Sequence, residues 1–125
     1  MTARGLGFIS DILSKEGINY CFEQWNKEIK YPYFVGEYIE TQMQNEDGQT
    51  ESNFILTGFT TGSRLSLEKA KEKIRSCFPD IGVTHIFDGT SGIAVMYKDS
   101  FGVPTGNDKL KSMQINLKVL EWSVN

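Results

Sequence analysis

The clearest pattern in the chain is a change of hydrophobic period near residue 60. Phe54, Ile55, Leu56, Thr57 and Phe59 form a β-favouring run that is apolar on both faces, as a central strand requires. Gly58 interrupts the side chains of that run and predicts a bulge or a close backbone approach. Residues 60–63 carry turn chemistry, with Ser63 or Ser66 placed to cap a helix. Leu67, Ala70, Ile74 and Cys77 or Phe78 then recur at helical spacing, while Glu68, Lys69, Lys71, Glu72, Lys73 and Arg75 cover the remaining sides. Pro79 ends this helix, because it offers no amide and restrains the residue before it. A strand, a turn and an amphipathic helix thus follow without a break.

The same reading extends both ways. Residues 3–16 form a first helix with Leu6, Ile9, Ile12 and Leu13 as its apolar stripe. Gly5 and Gly7 weaken its first turn, which is expected to fray, and Gly17 is placed to end it. Residues 18–23 alternate as a short strand, the alternative being a helix continued through Trp25. Tyr31-Pro32-Tyr33 leads into a strand over 34–43, with Val35, Ile39 and Met43 on one face and Phe34, Gly36, Tyr38 and Glu40 on the other. An Asp-Gly hairpin loop over 44–49 returns the chain to the Phe54 strand, so these two strands should be antiparallel neighbours. Residues 83–87 read as a short strand carrying His85, 88–92 as a loop, 93–98 as a strand and 99–108 as a long loop. In the last strand, 110–124, Met113, Ile115, Leu117 and Val119 alternate with Gln114, Asn116 and Lys118. The pattern reverses at Leu120: Leu120, Trp122 and Val124 are apolar, Glu121 and Ser123 polar. Such a reversal implies a bulge, packing beneath the first helix, or docking on a neighbouring subunit. The expected fold is α+β, a two-layer sandwich with a mainly antiparallel sheet and helices on one face, in the order α-β-β-β-α-β-β with room for one more short strand.

Composition narrows the function class. The 125 residues suit a single domain spanning 1–125. A net charge of -3 argues against a phosphate-binding surface, and Lys69, Lys71 and Lys73 are interleaved with glutamates, so no nucleic-acid binding is expected. No apolar run approaches the ~20 residues of a membrane span, and no signal peptide is visible. Cys21 and Cys77 sit among apolar neighbours without metal-ligand spacing, so two free thiols in a reducing compartment are expected. His85 is the one histidine, and only with Asp88 could it suggest acid–base work. The glycines of Asp88-Gly89-Thr90-Ser91-Gly92 resemble a phosphate cradle but lack its lysine and its helix. Tyr31, Tyr33, Phe34 and Tyr38 could stack bases, yet they lack arginine partners and suit sheet packing better. No catalytic, cofactor or metal site is expected, which leaves an interaction or structural protein rather than an enzyme.

Four segments carry a resemblance: YPYFVGEYIE (31–40), FILTGFTTGSRLSLEKAKEKI (54–74), FGVPTGND (101–108) and MQINLKVLEW (113–122). They look like a small protein of the tail-gene cluster of long-tailed phages and prophages of Gram-positive bacteria, a group similar to tail terminator and tail completion proteins. The resemblance implies an α+β subunit of the virion that forms a hexameric ring at the head-proximal end of the tail. Its partners would be other copies of itself, the tail tube and the head connector. It brings no catalytic residues. Interface candidates come from the residues themselves: Leu120, Trp122 and Val124 at the reversed strand end, Phe101 and Val103 in the long loop, and Asp47 in the hairpin loop. Rival expectations are a ferredoxin-like binding domain and a head-completion subunit of the phage neck.

Overall fold

The computed structural model describes residues 1–41 and 48–123. The run around Phe54 is a central strand. The order along the chain is α1 (Ala3–Lys15), β1 (Tyr20–Phe22), β2 (Tyr33–Thr41), β3 (Gln49–Thr60), α2 (Arg64–Cys77), β4 (Val83–Asp88), β5 (Ser91–Val103) and β6 (Lys111–Ser123). The strands form one six-stranded sheet in the order β1-β2-β3-β6-β5-β4. All neighbours are antiparallel except β1 and β2, which are parallel, so the sheet is mixed.

The fold is α+β as expected, and one boundary is corrected. Residues 83–88 are a strand, the further one that the pattern left room for, so three strands follow α2. Residues 99–103 belong to β5, and the connection to β6 covers only 104–110. The cause is a bulge. Tyr97 pairs with Leu117 and Asp99 with Asn116, leaving Lys98 as an extra residue that resets the alternation. Beyond the bulge the helix side of β5 holds only Ser100 and Gly102, so no apolar stripe announces a strand there.

Both helices pack on one face. Ile9 and Leu13 of α1 and Leu67, Ala70 and Ile74 of α2 meet Phe34, Phe54, Leu56, Ile93, Val95, Met113, Ile115, Leu117 and Val119 in a single buried core. Each such side chain contributes about 1.5–3 kcal/mol relative to its exposed state. Ser63 caps α2, its hydroxyl accepting from the Leu65 amide, and the helix stops at Cys77 ahead of Pro79. Gly17, at φ 73°, follows α1 in the left-handed conformation expected of a helix end.

Two glycines are explained by rings. The aromatic ring of Phe34 lies over Gly58, its cross-strand partner, where a Cβ would collide with it. Gly58 is therefore neither a bulge nor a backbone approach; it makes room for a side chain. Gly36 is covered in the same way by the rings of Tyr20 and Phe54.

Candidate functional site

Strand alternation fixes what the second, helix-free face displays. In register, its rows are Tyr33–Phe59–Ser112–Val103, then Thr57–Gln114–Phe101, then Glu37–Ile55–Asn116–Asp99, then Ile39–Asn53–Lys118–Met96, and at the far end Leu120 with Ala94 and Trp122 with Gly92. Apolar side chains dominate one end and polar ones most of the middle, while at the far end Leu120 and Trp122 stand beside Glu51, Thr41, Thr84 and Gln49.

At one end Trp25, from the β1–β2 connection, packs on Tyr33 with ring centroids 4.7 Å apart. Tyr31 adds a third ring and Phe59 a fourth, at 5.7 and 5.3 Å from Tyr33. The expected cluster of Tyr31, Tyr33, Phe34 and Tyr38 is thus divided between faces. Phe34 and Tyr38 point to the helices, where Tyr38 stacks on Phe22, because neighbouring strand residues point opposite ways. Phe101 and Val103 continue this apolar end across β6. Phe101 stays 51% exposed and Val103 is half-buried.

The middle band is a hydrogen-bonded network. The Asn116 amide donates to Asp99 Oδ1 at 2.6 Å, and Asn116 Oδ1 accepts from Gln114 at 3.2 Å and from Asn53 at 3.4 Å. Lys118 pairs with Glu51 at 3.1 Å. Asn116 is only 6% exposed although no helix covers it, so its neighbours on the sheet enclose it. Among the described residues, buried polar atoms without a hydrogen-bond partner include Trp25 Nε1, Asn53 Oδ1 and Ser112 Oγ, all on this side of the sheet. Buried polar groups are ordinarily paired.

The other end explains the reversal at Leu120. β6 pairs with β3 in one unbroken register from Lys111 to Trp122, so no bulge resets it. Glu121 keeps its place on the helix side and is 5% exposed. Its carboxylate accepts from the Thr2 amide at 3.2 Å and from the Thr2 hydroxyl, and Thr2 Oγ1 in turn accepts from the Gly5 amide. A carboxylate is favourable at a helix N-terminus, where amides are unpaired. Gly5 is needed there, since a Cβ would sit 2.5 Å from Glu121 Oε2. The glycine that the sequence marks as a weak point lets the first turn of α1 close on Glu121. Packing beneath the first helix therefore describes Glu121, while Leu120 and Trp122 point to the helix-free face. Trp122 lies half-buried on Gly92.

The interface candidates are thus shared between two places. Leu120 and Trp122 sit toward one end of the face and Phe101 and Val103 toward the other, six to ten residues apart along β6 or about 20–33 Å. Asp47 and Val124, like Met43 and the expected hairpin loop at 44–47, fall outside the described residues.

The residues considered for chemistry have other partners. His85 stacks on Phe8 at 5.2 Å, on the helix side of β4. Asp88 Oδ1 accepts from the Thr90 amide, the Thr90 hydroxyl and the Ser91 amide, closing the β4–β5 turn at Gly89 and Thr90. Arg4 binds the other carboxylate oxygen at 3.0 Å. These hydrogen bonds, the Thr90 amide first, hold the Asp88 carboxyl well below the usual carboxylate range. Cys21 is buried, and burial, with Glu16 second, raises the pKa of the half-buried Cys77 thiol. Among the described residues no cluster of three or more His, Cys, Asp or Glu side chains could hold a metal, and no helix is long and apolar enough to cross a membrane.

No family model and no curated protein matches the sequence. Solved structures do match, 23 chains in all. One of them, whose name gives no activity, superposes with a TM-score of 0.60 at 16% identity, over 93% of this chain and 88% of its own. At that identity the likeness is one of fold alone.

Proposed function

We propose that this chain is a structural subunit of a long-tailed phage or prophage: a tail terminator or tail completion protein that forms a ring at the head-proximal end of the tail and meets the head connector there. The segments that carry the resemblance fold into β2, β3 with α2, the end of β5 with the β5–β6 connection, and β6; of these, β2, β3 and β6 are neighbours in the sheet. The two-layer arrangement expected from the element pattern would give such a subunit one closed face for stability and one open face for assembly. The observation that carries the reading is the open face. No described helix lies over it, and it presents Ile39, Ile86 and Phe101 as exposed large apolar side chains. They stand apart, on β2, β4 and β5, so each can anchor a separate contact. Apolar groups at opposite ends of one face suit head-to-tail contacts, which close into rings when the rotation permits.

Size-exclusion chromatography with light scattering, over a range of concentrations, tests this. The expected result is a discrete multimer near six protomers that grows with concentration. Electron microscopy of purified tail tubes mixed with the protein should then show density at one tube end. Density on the head portal in place of the tube would replace the reading with a head-completion subunit. No binding to either would overturn it.

A further inference from the structure

The sheet ends in two open edges. β4 has a neighbour, β5, on one side only. At the opposite edge β1 covers only residues 34–36 of β2, and no described strand borders residues 37–41. An unpaired edge is a template for another strand unless charged side chains, proline, a bulge or a cover guard it. Residues 83–86 carry none of these, and residues 37–41 carry no proline or lysine but two glutamates, of which Glu40 is paired with the Met1 ammonium. The bulge of β4 falls between Ile86 and Asp88, leaving the strand regular up to Ile86.

The two edges match each other. Four antiparallel steps lead from β2 to β4, so both edge strands run in the same direction. Each carries one strongly exposed isoleucine, Ile39 at 62% and Ile86 at 58%, and both point to the helix-free face. A continuous sheet keeps its faces, so joining the edges would bring these two side chains together on the same side.

We infer that a second copy of this chain adds its β4, in parallel, to the free half of β2, with Ile86 beside Ile39. This deepens the assembly reading above and rests on it. The same register sets Thr84 beside Glu37 on the open face and His85 beside Tyr38 on the helix side. Every copy offers β4 at one edge and β2 at the other. The contact is therefore heterologous and propagates until it closes on itself. Backbone hydrogen bonds give the pairing its strength and the isoleucine pair its register.

Cysteine cross-linking tests the pairing in a Cys77→Ser chain, with Cys21 buried. Chains carrying Ile39→Cys are mixed with chains carrying Ile86→Cys under mild oxidation. The expected result is dimers with one chain of each kind, and a ladder of multimers from the double variant, since a disulfide needs Cα atoms within about 7 Å. Ile86→Cys alone cross-linking as well as the mixture would mean a two-fold β4–β4 contact and would overturn the inference. A multimer by light scattering without cross-links would overturn it too, and would leave the assembly reading standing. A monomer at every concentration without cross-links would overturn it as well; tail-tube binding would then decide the assembly reading separately. Ile86→Asp, at an exposed position that leaves the core intact, is expected to weaken self-association by about tenfold or more, or about 1.4 kcal/mol. Unchanged association in that variant would count against the pairing.

Discussion

A glycine inside a strand costs stability unless something occupies the space above it. At Gly58 the occupant is the Phe34 ring. Gly58→Ala should therefore destabilise by about 1–3 kcal/mol through overpacking, read as a lowered urea midpoint. On α1, a Cβ added at Gly7 would meet nothing within 4 Å, so Gly7→Ala should instead leave stability equal or raise it by about 0.5–1 kcal/mol. The sequence marks both positions as gaps, but the difference between them depends on a ring brought in from another strand. Asp88 makes a second prediction at this scale. Its folded pKa is depressed, so its contribution is present above the ordinary carboxylate range and is lost as pH falls toward the folded value. Asparagine can still accept from Thr90 and Ser91 but carries no charge to lose. Below about pH 4 the melting temperature of Asp88→Asn should fall less steeply than that of the parent chain. Parallel melting curves across that range would refute the role given to the turn.

Among the elements, β6 and α1 depend on each other through one side chain. Glu121 occupies a helix-side position in a strand that is otherwise apolar there, and it holds the Thr2 cap at the start of α1. Glu121→Ala should cost roughly 1.5–3 kcal/mol, the range for hydrogen bonds to a charged group. It should also speed hydrogen exchange in the first turn of α1 more than in α2. Equal protection of both helices in the variant would show that α1 does not depend on Glu121. Read alone, β6 shows a reversal with three possible causes, and only the position of α1 selects among them. β5 shows the opposite problem. Its pattern stops at Lys98, although the strand runs on to Val103, because the residue inserted at the bulge hides the continuation.

For the whole molecule, the proposed function assigns stability to the closed face and assembly to the open one. Phe101→Asp, on the open face, should shift the scattering mass toward monomer while leaving the melting temperature nearly unchanged. A folded variant that assembles like the parent would remove Phe101 from the docking surface. Trp122 is a poorer probe, because its indole also fills the space over Gly92.

The sequence by itself determined α1, α2, the β2–β3 hairpin pairing and the central place of β3. Each rests on a local hydrophobic period, a cap or a turn, and those act over one or two turns of chain. It also determined which side of β6 is buried as far as Val119, since alternation has only two settings, whereas β2 and β3 carry apolar residues on both faces and did not declare their buried side. Only the tertiary structure decided the parallel seating of β1, the length of β5, the role of Glu121, and the separation of Leu120 and Trp122 from Phe101 and Val103. Those features depend on contacts between residues far apart in the chain, such as Thr2 with Glu121 and Tyr20 with Phe34. No local pattern encodes them, because the partner that gives each residue its meaning arrives only when the sheet closes against the helices.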